Sequence, residues 1–392
     1  MRAIRILHER LTESMSFMHA GRWRALWSAV ESLLGGGDLW LTGLGRSRPG
    51  DVSAKHAIKA MDRLLGNQVL YAERRSVASA LAQFMLKKCK SPIVLVDAVE
   101  IRHETFALSA AIAFDGRSFP LYDCVIGVGI PKKAILDRFL GQLSLILPPE
   151  CTPIFVTDAG FRGPWFDLLE DRGWDYVGRL RGNGTVCVDG SWLSVAELHK
   201  KATTRDRSLG IVRLPKRKPR DRRVVLSKKR KSSNRWRHTS RGTRGQREDD
   251  FNYAKSANEP LVLATSLTCN SSHVVKLYSL RMQIEQNFRD KKNHRWGWSF
   301  RHMGSRCHTR IELLLLVASI AYFVQQWIGV AGERAGLHRR HQANTMTKRR
   351  ALSLFVLGKW IIRRRELRLL TAPQLDNALF SLRTTIRSHS PP

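Results

Sequence analysis

Two short runs, PIVLVD over 92–97 and PIFVTD over 153–158, constrain this chain more than anything else in it. Each opens on a proline, continues through apolar and largely β-branched residues, and stops at an aspartate. A run with no polar alternation suits a strand covered on both faces, and such strands need helices above and below the sheet. Around them the pattern changes period. FALSAAIAF (106–114) and SFPLYDCVI (118–126) alternate on either side of Asp115-Gly116, a hairpin signal. Helical spacing follows in AILDRFLGQLSLIL (134–147) and WFDLLEDRG (165–173), and strand-like runs in WDYVGRL (174–180) and PLVLATSL (260–267). Strands, hairpin and crossover helices in this order predict an α/β fold, a mixed sheet flanked by helices, over about 91–335.

Between about 181 and 259 the pattern loosens. Pieces such as IVRL and RVVLS alternate with KRKPRDRR, KKRK and RWRHTSRGTRGQR. Interspersed Val, Ile, Leu and Trp predict a β-rich insertion with a basic surface, the other reading being a solvated linker. Residues 1–90 read as helical, and 336–392 as a basic helical C-terminal region. Within the first, Ser53–Leu65 opens on an N-cap serine and stops at Gly66-Asn67. Ala57, Ile58, Met61, Leu64 and Leu65 form its apolar face, while Lys55, Lys59 and Arg63 share another. Helix–turn–helix geometry would set that basic face in a DNA major groove. A solvated face on a helical bundle has the same pattern, and this segment alone leaves both open.

Charge narrows the partner. There are 67 Lys plus Arg against 33 Asp plus Glu, a formal net charge of +34. Such an excess strains a compact fold unless a polyanion screens it, and nucleic acid is the usual one, because neutralised phosphates release counterions. Six scattered cysteines make no CxxC pair, which fits a reducing compartment and no zinc site. The opening MRAIRILHERLTESM has no continuous apolar stretch, so no secretory signal is expected and a cytoplasmic location is the expectation. The apolar segment Leu313–Val324 falls short of the roughly 20 residues a bilayer needs, and Glu312, Gln325 and Gln326 bracket it. It is expected as a helix inside a domain, with no membrane partner.

Asp97 and Asp158 are both expected at strand ends, where ligands collect at the edge of open α/β sheets. Taken singly, an Asp after an apolar run is as often a turn residue. A long helix is expected from about Ser272, and on it Tyr278, Arg281, Glu285 and Lys292 fall within an arc of roughly 60° at about 100° per residue. Leu277, Leu280, Ile284 and Phe288 make the stripe that packs on the sheet. One helix would thus present a carboxylate flanked by two cations and a phenol. Beside two further carboxylates that is a phosphodiester site, in which three acids hold a pair of Mg2+ ions and Arg and Lys grip phosphates.

The spacing Y-x2-R-x3-E-x6-K at Tyr278, Arg281, Glu285 and Lys292 resembles the signature of the insertion-sequence-four family of cut-and-paste DDE transposases. The resemblance extends in order through IKAMDRLLGN (58–67), PIVLVD, TDAGF (157–161) with Pro164-Trp165, YSLRMQIEQNFRDKK (278–292) and QANT (342–345). It implies an RNase H-like catalytic core interrupted by a β-rich insertion. It also implies Asp97, Asp158 and Glu285 as catalytic and metal-binding residues for Mg2+, with Mn2+ able to substitute. Tyr278, Arg281 and Lys292 would contact double-stranded DNA at the element's end, and a homodimer would hold two ends. Cleavage, a DNA hairpin and strand transfer would follow. Some relatives grip a flipped base with a Trp in the strand after the insertion; Leu261 stands there in this chain, and Trp236, Trp296 and Trp298 are the candidate substitutes. A nuclease of the same core without strand transfer and a non-catalytic DNA-binding protein are the competing readings.

Overall fold

The computed structural model describes residues 2–87, 89–102, 104–127, 132–216, 218–228, 259–347 and 349–388. The chain forms two compact units, one of residues 1–153 with 282–392, the other of 154–281.

The first unit opens with five helices: α1 (Arg2–Thr12), α2 (Ala20–Leu34), α3 (Leu41–Arg46), α4 (Ala54–Leu65) and α5 (Gln68–Leu86). In α4, Ala57, Met61, Leu64 and Leu65 are buried and Lys55, Lys59 and Arg63 are exposed, as the periodicity predicts, while Ile58 of the predicted apolar face is only half-buried. Ser53 occupies the N-cap, but its hydroxyl pairs with His56 Nδ1 at 2.8 Å and no side-chain cap bond forms. Gly66 ends the helix, and the Asn67 side chain starts α5 by accepting from the Leu70 N–H at 2.8 Å. Helix α3 packs on α4.

Three antiparallel strands follow, β1 (Ile93–Arg102), β2 (Thr105–Ala113) and β3 (Ser118–Ile126), with the turn at Asp115-Gly116 as expected. One expectation fails here. Asp97 does not end its strand; β1 continues five residues beyond it, to Arg102. Ile93–Val96 are buried and the next three are half-buried. The apolar run therefore marks where β1 leaves the core, while its ladder with β2 carries on.

After α6 (Lys133–Ile146) this unit resumes with α10 (Met282–Lys292), α11 (His308–Arg334), α12 (Leu354–Arg363) and α13 (Ala372–Ser388). Helix α11 is its central rod, packed against β3 and against α2, α5, α12 and α13. Among the described residues it alone is long and apolar enough to cross a membrane, and that window is entirely buried in the protein. The polar residues that bracket the apolar run Leu313–Val324 lie within the same helix. Glu312, Gln325 and Gln326 are all buried: Glu312 accepts from the Val125 N–H at 2.8 Å and pairs with Arg74 at 2.8 Å. Gln325 donates to the Phe355 carbonyl at 2.8 Å. Buried polar groups survive inside such a rod because each is bonded to a neighbouring element. Gly329 and Gly358 let α11 and α12 touch backbone to backbone; a Cβ at either would lie 2.1 and 1.9 Å from the other helix's carbonyl oxygens.

The second unit carries seven strands in the order β4-β5-β10-β9-β8-β6-β7. They are β4 (Ile154–Thr157), β5 (Asp175–Leu180), β6 (Thr185–Val188), β7 (Ser191–Ser194), β8 (Arg207–Leu214), β9 (Arg220–Ser227) and β10 (Leu261–Thr265). Strands β4 and β5 run parallel through the crossover α7 (Gly163–Glu170); β10 pairs antiparallel with both β5 and β9. The insertion is β-rich as expected, with α8 (Val195–Lys201) closed by a Ser194–Glu197 capping box. It extends the sheet through β9 and is not a free linker. Its basic run is also less superficial than expected. Arg222 is buried against Asp167 at 2.5 Å and Glu170 at 2.7 Å, because alternate residues of β9 point into α7. KKRK and Trp236 fall largely or wholly within 229–258, outside the described residues. Ten strands, parallel and antiparallel, with helices packed on them make this an α/β protein of the RNase H-like class.

Candidate active site

In the first unit the site begins with a row across the hairpin sheet. Asp97 stands opposite Ser109, and Ser109 opposite Asp123. Directly opposed residues project from one face, so these three make a polar row over β1, β2 and β3. Helix α10 packs on all three strands. From it the buried Lys291 reaches within 3.8 Å of Asp123 Oδ2, while the Ser109 hydroxyl donates to Asp123 Oδ1. The row that bears Asp97 therefore faces α10.

Buried amides fix that helix in register. Gln283 donates to the Phe114 carbonyl and accepts from its N–H, both at 2.7 Å. Asn287 donates to the Ser118 hydroxyl at 2.6 Å. Asp290 accepts from Arg117 Nε at 2.7 Å and from the Tyr322 hydroxyl at 2.9 Å; burial raises its pKa, against Arg117 and Tyr322. The apolar periodicity of this helix records only the stripe of Ile284 and Phe288. The missed signal was Gln283 and Asn287 at i, i+4 beside that stripe, polar residues on a face that periodicity assigns to the core.

Glu285 lies half-buried in the first turn of α10, where the helix dipole favours a carboxylate. Seven residues on, Lys292 lies on the same helical face, and its ammonium donates to the carbonyl oxygen of Glu100 in β1. Burial, then Arg301, pulls the Lys292 pKa down, while Glu100 and Asp97 oppose the shift. Asp97 Oδ1 accepts from the Ala98 N–H at 2.8 Å.

The second unit holds Asp158, Tyr278 and Arg281. Asp158 directly follows β4 and takes the Gly160 N–H at 2.8 Å in a tight turn. Tyr278 is buried near the end of α9 (Ser271–Ser279). Burial chiefly raises its pKa, aided by Asp158 and opposed by Arg281 and Arg179, so these four groups share one local field. A cleft of about 660 Å3 opens along the residues after Asp158, with Phe161 and Phe166 in its walls and Arg162, Arg179 and Arg181 among its lining.

The expected single helix is a correction. Hydrogen bonding shortens to i→i−3 at Leu280 and Arg281, which bond Leu277 and Tyr278 at 3.1 Å, and α9 ends before α10 begins. The four signature residues thus do not share one continuous helical face: Tyr278 is on α9, Arg281 in the break, Glu285 and Lys292 on α10. No Pro or Gly marks the break, so the sequence hides it.

The aromatic candidates also separate. Leu261, at the start of β10, is 8% exposed. Trp298 is a core residue against Phe355 and Tyr322. Trp296 is 49% exposed. Among the described residues no three His, Cys, Asp or Glu side chains stand together as a ready metal site. The acids themselves offer the hard oxygen donors that Mg2+ prefers.

The first unit thus carries Asp97 on β1 beneath the helix that bears Glu285, and the second carries Asp158 just after β4. Residues 88–324 match the transposase DDE domain family, and the chain belongs to that family. It is a transposase, an enzyme of DNA transposition and recombination. No curated protein matches the chain.

Proposed function

We propose that Asp97, Asp158 and Glu285 serve one phosphodiester reaction, by which the enzyme cuts the ends of its mobile element and joins the freed 3′-hydroxyls to target DNA. The observation that carries this is the facing of Asp97 toward α10, the helix that bears Glu285 and Lys292. These carboxylates would hold a pair of Mg2+ ions, or Mn2+ in their place, which supply an activated water and charge stabilisation at the scissile phosphate.

The other residues act on the DNA. Lys292 offers an ammonium held on the strand that bears Asp97. Arg281 and the neutral phenol of Tyr278 offer donors beside Asp158. The exposed Lys55, Lys59 and Arg63 face of α4 binds the element's ends as the second helix of a helix–turn–helix. Two chains hold two ends in the insertion-sequence-four manner, with a hairpin on each before insertion, in the cytoplasm of a bacterium.

The test incubates the full chain with labelled duplexes carrying the DNA that flanks its gene, a supercoiled target and Mg2+. Label covalently joined to target supports the proposal. Label that is cleaved and never joined overturns strand transfer and leaves a hydrolytic nuclease.

A further inference from the structure

Beyond α10 the chain makes a tight turn that presents an aromatic ring to solvent. The Asn293 side chain accepts from the backbone N–H groups of both Arg295 and Trp296, each at 2.8 Å. Gly297 then presses on the helix end so closely that a Cβ would lie 1.6 Å from the Asp290 carbonyl oxygen. From α12, Lys359 donates to the Gly297 carbonyl at 2.7 Å. The turn is fixed from three sides, yet the Trp296 ring it carries stays half-exposed. A large ring carried on a backbone fixed in this way costs less to order on binding than one on a mobile loop.

Its surroundings are cationic. The Trp296 ring lies 6.3 Å from that of Trp360. The guanidinium groups of Arg363 and Arg364 sit 5.7 and 5.4 Å from the Trp360 ring centroid, and both arginines are exposed. The nearby acids are engaged: Glu366 with His341 at 2.8 Å and Arg340 at 3.9 Å, and Asp38 with the Ser299 hydroxyl at 2.9 Å. Stacking surface beside unneutralised arginines suits a polyanion that also offers planar faces. In a duplex the base faces are stacked on one another, so a ring is useful only for a strand whose bases are free.

We propose that Trp296, with Trp360, Arg363 and Arg364, forms a binding site for a single-stranded DNA segment, Trp296 stacking on an unpaired base and the arginines holding adjacent phosphates. This rests on the chain acting on DNA and adds a site and a preference for unpaired strand.

Fluorescence anisotropy of the full chain with a labelled twelve-residue oligothymidylate, and with a duplex of equal length, tests it. Trp296→Ala weakens single-strand binding about tenfold and leaves duplex binding within about twofold; Trp296→Phe restores most of the loss. Arg363→Ala with Arg364→Ala flattens the salt dependence of single-strand binding by about 0.7 for each phosphate no longer neutralised. The exposed pair Lys200→Ala with Lys201→Ala, on α8, leaves that slope unchanged. Unchanged or equal losses on both DNAs after Trp296→Ala, or an altered oligomeric state with DNA binding intact, overturn the site while the transposase reading stands. A wild-type chain that binds neither DNA overturns both.

Discussion

Lys291→Met removes one partner of a buried pair next to the row that carries Asp97. Lys291 is 1% exposed and Asp123 9%, with 3.8 Å between ammonium and carboxylate. At an effective dielectric near 20 that separation corresponds to roughly 4 kcal/mol of attraction before desolvation is counted. Removing one member strands the other in the core, which costs about 3–5 kcal/mol. Changing Lys291→Met and Asp123→Asn together removes both charges, keeps an oxygen for the Ser109 hydroxyl, and should recover most of that loss. Hydrogen exchange read by mass spectrometry on peptides from β3 and α10 follows this locally. The single variant should exchange there about a hundredfold faster or more, with a coupling of about 2–3 kcal/mol between the two sites. A loss below about 1 kcal/mol, or two additive single changes, would refute a stabilising charge pair between α10 and β3.

Three further outcomes follow from the same geometry. Burial, then Arg363, holds the Lys359 pKa down to about 8, against Asp38 and from an ordinary 10.5. Between those values the unfolded chain binds more protons, so stability rises with pH there; the wild-type melting temperature should gain on that of Lys359→Met from pH 8 to 10.5, and a constant difference contradicts this. Replacing Lys55, Lys59 and Arg63 together with alanine should abolish preference for the element's own ends and lower the salt slope of duplex binding by up to about 0.9 per residue; an intact preference places the reader elsewhere. Leu261→Trp should destabilise by about 1–3 kcal/mol through overpacking, since Leu261 is buried; an unperturbed urea midpoint would show room at that position.

Much of the architecture was legible because it rests on burial. Ile93–Val96, Ile154–Thr157 and Leu261–Thr265 are buried strands whose apolar runs admit no amphipathic alternative. The acids after or within such runs were visible for the same reason. What stayed hidden depends on hydrogen bonding, which periodicity does not record. β1 outlasts its apolar run because β2 supplies its ladder. The break at Leu280-Arg281 is a change from i→i−4 to i→i−3 bonding, with no residue to announce it. Gln283, Asn287 and Lys291 read as surface residues by type, and each is buried because β2, β3 or their turn completes its bonds.

The central claim is that Asp97, Asp158 and Glu285 are one set of catalytic acids. Its most direct test measures cleavage of a labelled duplex carrying the flanking DNA, in Mg2+, by the full chain and by Asp97→Asn, Asp158→Asn and Glu285→Gln, with DNA binding measured alongside. Each change should abolish cleavage while binding stays within a few-fold of wild type. Any one of the three that cuts at the wild-type rate contradicts the assignment.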